Sequence, residues 1–591
     1  MRTSLRRFPA LIAAAAVTGA AAVSGAPATA ADTASPAFAF DPEHFGTATP
    51  IKHLVVIYDE NVSFDHYFGT YPHATNPGGE PKFYPAPFTP VVNNLLHDDL
   101  LTNNPNLNPA NLDTTGCGSA PPPAGDDTSA PCAYPSNPFR LDRTQASTTD
   151  QDHNYAPEQQ AFDAGKMDLF PKYTGTAGTP GAGAFETAAV VMGYYDGNTV
   201  TALWNYAQHF AMSDNGHGSA FGPSTPGALE AVSGQTDGFE VVTGGTLGST
   251  YIEDGQGGYT DVSDIDPAGD VCASKTKNAS MLGRNIGDLL NARHISWGGF
   301  MGGFNLSITN SNGTTGCSRA TVGLTGVAEE ESDYIPHHNW FQYYASTANP
   351  THARPNSVAD IGHTYDRNGQ TDPANHEYDV DDFYAAVQAG NFPAVAYLKA
   401  PGYQDGHAGY SDPLDEQAWI VQVVNFIEQT PEWKDTVIII DWDDSDGWYD
   451  HGFVAPTNSS SSTVDQLDGN GECGSGTPLP GLDLSNPTSA QSGLPVNGRC
   501  GPGPRLPFMV ISPYAKPNYV SHTLITQSSI VRFIEDNWLN GERLGGGSFD
   551  ATAGSIMDMF DFETRYLNPP LFLDEQSGEP VDQRQLAATA P

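Results

Sequence analysis

The chain has 591 residues, with 25 Lys and Arg against 69 Asp and Glu, a formal net charge of −44 and 38% hydrophobic residues. Such an acidic surface repels phosphate-rich polymers, which argues against nucleic acid as a partner and makes divalent cations natural ones. After the N-terminal segment no stretch approaches the roughly 20 apolar residues of a membrane span, so no stable membrane insertion is expected.

Residues 1–30 read as an export signal: Arg2, Arg6 and Arg7 precede an Ala/Val-rich run from Leu11, which closes on the small-x-small sequence Ala28-Thr29-Ala30. A secreted protein beginning near Ala31 is expected, by the general route or by the twin-arginine route that Arg6-Arg7 would allow. Six cysteines form three sequence-local pairs, Cys117 with Cys132, Cys272 with Cys317 and Cys473 with Cys500, which in an exported chain favour disulfides. A metal cluster is the rival reading, but no C-x-x-C spacing supports it. Strand and helix signals alternate along residues 31–591, and Gly and Pro are spread through insertions. This predicts one α/β domain with a C-terminal extension, built on a central, mostly parallel sheet flanked by helices and carrying long loop insertions.

In chain order, Ile51–Tyr58 is a β-branched run and reads as a buried strand that opens onto Glu60 and Asn61. Residues 75–150 are Pro/Asn/Asp-rich and read as an insertion. A polar turn at Asp152–Gln159, containing His153, precedes a short helix over Gln160–Asp168. Helical spacing over Thr199–Met212 predicts a helix ended by Ser213-Asp214-Asn215. A further helix is predicted from Thr225, then one near Met281–Ala292 and a strand at Ile295–Met301. His337 and His338 lie in a loop before an aromatic helix, Phe341–Ala345. Helix Val380–Ala389 leads to strand Ala394–Leu398, whose end opens onto His407. Amphipathic helix Asp415–Glu428 then leads to Thr436–Ile440, the clearest buried strand in the chain, which runs into Asp443 and Asp444. Asn458–Ser462 is a solvated loop, Leu506–Ile511 a strand and Thr526–Leu539 a closing helix. The Pro-rich tail after Asn568 is expected to wrap the surface.

Gly222-Pro223-Ser224-Thr225-Pro226 puts a hydroxyl between a Gly-Pro turn and a Pro-initiated helix. A Ser before Thr-Pro commonly caps a helix, and the same place beside a helix N-terminus suits a nucleophile. Two strand ends deliver Glu60-Asn61 and Asp443-Asp444. With the Ser224 hydroxyl these make a hard, oxygen-rich set suited to one divalent ion of the Ca²⁺, Mg²⁺ or Mn²⁺ kind. Metal contact would activate the hydroxyl. His153, His337, His338 and His407 are candidates for donors to a phosphoryl group and for the acid that protonates the leaving oxygen. A Ser-His-Asp hydrolase is the weaker reading, because no G-x-S-x-G elbow is present.

Read together, Glu60-Asn61-Val62-Ser63-Phe64-Asp65-His66-Tyr67-Phe68-Gly69, the Ser224 segment and Trp442-Asp443-Asp444 through Tyr449-Asp450-His451 resemble the phosphoesterase family of bacterial phospholipases C and acid phosphatases. Val62 stands where that family usually has Arg, and Ser445-Asp446-Gly447 stands where Gly-Gly is common. The resemblance implies an alkaline phosphatase-like fold and one metal ion held by Glu60, Asn61, Asp443, Asp444 and the Ser224 oxygen. It further implies a phosphoseryl intermediate at Ser224, with His153, His337, His338 and His407 lining the phosphate site. The substrate implied is a phosphate ester or phospholipid. Ser at the nucleophile position looks more like the acid phosphatase branch, with phospholipase C or another phosphodiesterase as the alternative. A sulfatase is disfavoured by the lack of Cys-x-Pro-x-Arg, and a secreted calcium-stabilised binding module is the non-enzymatic alternative. The sequence does not specify an oligomeric state.

Overall fold

A computed structural model describes residues 46–113, 133–175, 184–187, 189–323, 331–366, 368–563 and 566–582. The export signal and the Cys117/Cys132 pair lie outside them.

The molecule is organised on a nine-stranded sheet: β1 His53–Asp59, β2 Ala211–His217, β3 Trp297–Met301, β4 Glu377–Asp379, β5 Val395–Lys399, β6 Thr436–Trp442, β7 Arg505–Ile511, β8 Tyr519–Ser521 and β9 Ile525–Thr526. The order is β4-β3-β5-β1-β6-β7-β2-β8, with β9 also on β2. Only β7 runs against its neighbours, β6 and β2, so the sheet is mostly parallel as the alternating pattern predicts. Every residue of β1 and β6 is buried, the signature of parallel strands covered on both faces.

Helices α1 Phe64–Phe68, α2 Tyr155–Phe162, α3 Thr201–His209, α4 Ser224–Ser233, α5 Ile286–Ala292, α6 Val380–Gln388, α7 Pro413–Glu428 and α8 Ser528–Trp538 accompany the sheet. Their starts follow local chemistry: the Asp412 carboxylate accepts from the N–H groups of Leu414 and Asp415, with Pro413 at the first position of α7. Cys272–Cys317 and Cys473–Cys500 are disulfide-bonded. After Asn568 the tail runs over the domain, with Leu571 N–H on Glu428 and the Asn425 amide on the Leu573 carbonyl.

Five expectations differ, one of them the solvated loop at Asn458–Ser462, whose first three residues are buried, with Asn458 and Ser460 bridged to Gly501 and Cys473. Helix α3 stops at His209, and Ala211–His217 is strand β2, although Ser, Asp, Asn, Gly and His give it no strand signature. Its extended form comes from pairing on both edges, with β7 on one side and β8 and β9 on the other. The helix placed at Gln160–Asp168 instead occupies Tyr155–Phe162, ended by Asp163 in the left-handed region. The helix near Met281 begins only at Ile286, where Asn285 and Asp288 form a capping box; Asn278–Met281 pairs as a strand with Phe239–Thr243. Phe341–Ala345 is a run of turns, because the Asn339 carboxamide takes the Phe341 N–H and the Thr347 hydroxyl takes the Phe341 carbonyl.

Glu428, the last residue of α7, is buried, and burial pushes its carboxyl up to about 8. In an unfolded chain a Glu titrates near about 4.3. Between those values the folded protein keeps a proton that the unfolded chain has released, so this group's contribution to stability falls as pH rises. Glu428→Gln keeps an acceptor for Leu571 and removes the titration. Calorimetry should show its Tm above wild type by about 1–3 °C at pH 8 and unchanged at pH 4.

Candidate active site

Three adjacent strand ends converge on one point. Strand β1 ends at Asp59, directly before Glu60 and Asn61; β6 ends at Trp442, directly before Asp443 and Asp444; and β5, on the other side of β1, ends at Lys399. This is the carboxyl edge of the sheet, where open α/β folds gather functional groups. Asn61 adopts a positive φ of 51°, a conformation that Asn tolerates better than most residues.

The nucleophile candidate arrives on a strand-turn-helix unit. Strand β2 ends at His217, the chain turns through Gly222 with φ of 124°, and α4 starts at Ser224. Only glycine takes that φ without strain. A Cβ on Gly227 would lie 2.2 Å from the Asp443 carbonyl, so Gly227 lets α4 close onto the Asp443 backbone. The Tyr58 hydroxyl fastens the same contact by donating to the Gly227 carbonyl at 2.8 Å.

Ser224 caps no helix. It is the first helical residue, and the Thr225 N–H is instead taken by the Asp264 carboxylate at 3.0 Å. The Ser224 Oγ is therefore free to donate to Glu60 Oε2 at 2.9 Å and Asp444 Oδ2 at 3.3 Å. Ser224, Glu60, Asn61, Asp443 and Asp444 are each at most 2% exposed.

The Asn61 carboxamide tells which way this cluster is charged. One of its ends lies 2.6 Å from Glu60 Oε2, 2.9 Å from Asp443 Oδ1 and 3.3 Å from Asp444 Oδ2, while the other lies 2.9 Å from His407 Nε2. With the nitrogen turned inward, the amide would donate to the three carboxylates and accept from His407. With the oxygen turned inward, it joins an all-oxygen shell that a bound cation, or a proton on one of the carboxyls, satisfies. His407 Nδ1 lies 2.5 Å from the Ala408 carbonyl, so we assign the proton to Nδ1, which leaves Nε2 as an acceptor and the oxygen inward.

Electrostatics lead to the same place. Burial first, then the neighbouring Asp443 charge, hold the Glu60 carboxyl well above its ordinary range, and burial with Asp443 does the same at Asp444. Asp443 Oδ2 has no hydrogen-bond partner among the described residues. Carboxylate oxygens of Glu60, Asp443 and Asp444 lie within 4.8 Å of one another. Repulsion of this kind is relieved by a bound divalent ion.

The histidines fall into two groups. His338 Nδ1 lies 3.1 Å from Glu60 Oε1, and His407 contacts Asn61. Both are pushed below the ordinary histidine range, chiefly by burial. His153 Nδ1 lies 3.2 Å from Asp446, and its ring sits 5.8 Å from that of His407. Burial lowers its pKa, but Asp444, Asp446 and Asp150 outweigh it, and the net shift is well upward. The His337 ring pairs with Asp266 at 3.6 Å, on the outer side of His338, and Asp264 and Asp266 raise its pKa against burial.

Several participants escaped the sequence reading. Glu158 accepts from the Gly222 N–H at 3.3 Å and the Ser445 hydroxyl at 2.7 Å, bracing the Ser224 turn against the Asp444 loop. It sits in the same Asp152–Gln159 segment as His153, which was its only signal. Asp264 stands in a Gly/Asp-rich loop with nothing to single it out. Lys399 is 1% exposed and pairs with Glu60 Oε1; a Lys ending an otherwise apolar strand was the signal available.

Residues 51–539, which contain all of these groups, match the profile of the Phosphoesterase family. The chain belongs to that family. Two relatives come from Pseudomonas aeruginosa. A non-hemolytic phospholipase C is 24% identical over 558 residues, 92% of this chain and 62% of that protein. A hemolytic phospholipase C is 26% identical over 185 residues, 31% of this chain and 23% of that protein. The chain thus spans less than two thirds of the curated relatives it matches. A solved protein of the alkaline phosphatase superfamily from Vibrio parahaemolyticus aligns over 68% of this chain and 79% of its own, with 11% identity and a TM-score of 0.26. Within the Phosphoesterase match, the Ser445 and Asp446 side chains contact Glu158 and His153.

Proposed function

We propose that this chain is a secreted phosphoric ester hydrolase, dependent on one divalent metal ion and acting through a phosphoserine at Ser224. The observation that carries the reading is the Ser224 hydroxyl, placed at the N-terminus of α4 and 2.9 Å from Glu60 Oε2 within an all-oxygen cluster. Glu60, Asn61, Asp443, Asp444 and Ser224 fit a hard ion: carboxylate oxygens of Glu60, Asp443 and Asp444 lie within 4.8 Å of one another, and Asp443 Oδ2 has no hydrogen-bond partner among the described residues. Mg²⁺, Mn²⁺ and Ca²⁺ are the ions of that class. When bound, such an ion lowers the pKa of the Ser224 hydroxyl and offsets phosphoryl charge.

The chain's own groups supply the remainder. The Ser224 proton passes to Glu60 or Asp444, and Oγ attacks phosphorus in line as the bond to the leaving alcohol breaks. His153, favoured as the imidazolium by Asp444, Asp446 and Asp150, gives its proton to that alcohol. It then takes a proton from water, whose oxygen attacks phosphorus and displaces the Ser224 Oγ, which recovers its proton from the same carboxyl as phosphate is freed. Neutral His338 and His407 hold Glu60 and Asn61 in place. Among the described residues no helix is long and apolar enough to cross a membrane. Two formed disulfides support an exported protein.

A phosphomonoester is the favoured substrate, on the Ser at the nucleophile position; the relatives named phospholipase C support a phospholipid as the second reading. Turnover of a phosphomonoester, a phosphodiester and phosphatidylcholine, compared across pH, separates them. The expected result is the highest kcat/KM on the monoester, by about tenfold or more. Faster turnover of phosphatidylcholine reverses the substrate choice. Calcium stabilisation without turnover of any of the three would leave a binding module.

A further inference from the structure

The chemistry above leaves Lys399 unused, although it touches Glu60 directly. It closes β5, beside β1, and its side chain reaches the cluster next to Glu60. Its ammonium bonds Glu60 Oε1, lies 4.0 Å from Asp443 Oδ2 and stands over the Tyr58 ring at 5.6 Å. The two oxygens of Glu60 are thereby divided, with Oε1 on Lys399 and Oε2 on the Ser224 hydroxyl. A carboxylate with one oxygen on each of two cationic centres is the arrangement of a two-metal site, whose ions stand about 3.5–4 Å apart. Here one of the two centres is the ammonium.

We propose that Lys399 is a built-in cation that takes the place of a second divalent ion and limits this centre to one. The inference rests on the metal reading above. Charge supports it: the ammonium sits on Glu60 and Asp443, the two carboxylates that a second ion beside the first would have to share. Position supports it as well. With Oε1 occupied, Glu60 can offer the ion only Oε2, which keeps that ion beside Ser224. Lys399 is a positioning residue in this scheme and transfers no proton.

Mn²⁺ titration followed by electron paramagnetic resonance tests it without any substrate, since two Mn²⁺ ions about 4 Å apart give an exchange-coupled spectrum and a single ion does not. Wild type should bind one buried Mn²⁺ with an uncoupled spectrum. Lys399→Met, which keeps the length and loses the charge, should take up a second ion and show coupling. Lys399→Arg should behave as wild type. A Lys399→Met protein that folds, as judged by circular dichroism, and binds only one uncoupled ion overturns the proposal and leaves the metal site standing. Should that variant fail to fold, coupling in wild type or in Lys399→Arg still overturns it. Wild type that binds no buried Mn²⁺ overturns both readings.

Discussion

Ser224→Ala should lower kcat/KM on p-nitrophenyl phosphate by about 10⁴-fold or more, the scale seen when a covalent nucleophile is deleted. The lost atom is the oxygen that meets Glu60 Oε2 at 2.9 Å and Asp444 Oδ2 at 3.3 Å. Folding should change little, because Asp264, and not the serine, holds the first turn of α4 through Thr225. The thermal midpoint therefore separates a catalytic from a structural effect. Acid quenching during turnover of a ³²P-labelled monoester should trap label on Ser224 in wild type and none in the variant. Near-wild-type turnover by Ser224→Ala would remove the phosphoserine mechanism, whatever else the site does.

Chelation should abolish turnover, and restoring Mg²⁺, Mn²⁺ or Ca²⁺ should recover it with at least one of them. Asp444→Asn should lose activity by about 10²-fold or more and weaken ion binding in calorimetry. The ion competes with protons for Glu60 and Asp444, whose empty-site carboxyls burial holds above their ordinary range. Affinity should therefore fall as pH falls, by about tenfold per pH unit for each proton displaced. Calorimetry in two buffers of different ionisation heat counts those protons. Full activity after verified metal removal, or an affinity indifferent to pH between 5 and 7, would be incompatible with the carboxylate site.

The legible parts of this protein share a property: their signal is local. Strands β1 and β6 are built around the apolar runs Leu54–Tyr58 and Val437–Ile440 because parallel strands at the centre of a sheet are covered on both faces. The acidic pairs after them could be read as strand-end residues without knowing which strands were neighbours. Helix α7 was legible as an amphipathic run from Asp415, and the structure adds the caps, Asp379 at α6 and Asp412 at α7. By contrast, β2 is written in Ser, Asp, Asn, Gly and His, and becomes a strand only because β7, β8 and β9 lie against its two edges. The aromatic run at Phe341 looked helical, and lost its helix to side-chain bonds from Asn339 and Thr347.

The same division runs through the site. Residue types determined the chemistry on offer: one hydroxyl in a Gly-Pro-Ser-Thr-Pro turn, carboxylates and an amide after buried strands, and histidines in loops. Only the tertiary structure decided which hydrogen bonds they make. It gave the Thr225 N–H to Asp264, leaving the Ser224 hydroxyl for Glu60, and it put the His407 Nε2 where it turns the Asn61 oxygen inward. It also brought Lys399 to Glu60 across 339 residues of chain. Such pairings are set by which strands lie side by side, and sheet order is a long-range choice made by the packing of the whole core, which no window of sequence contains.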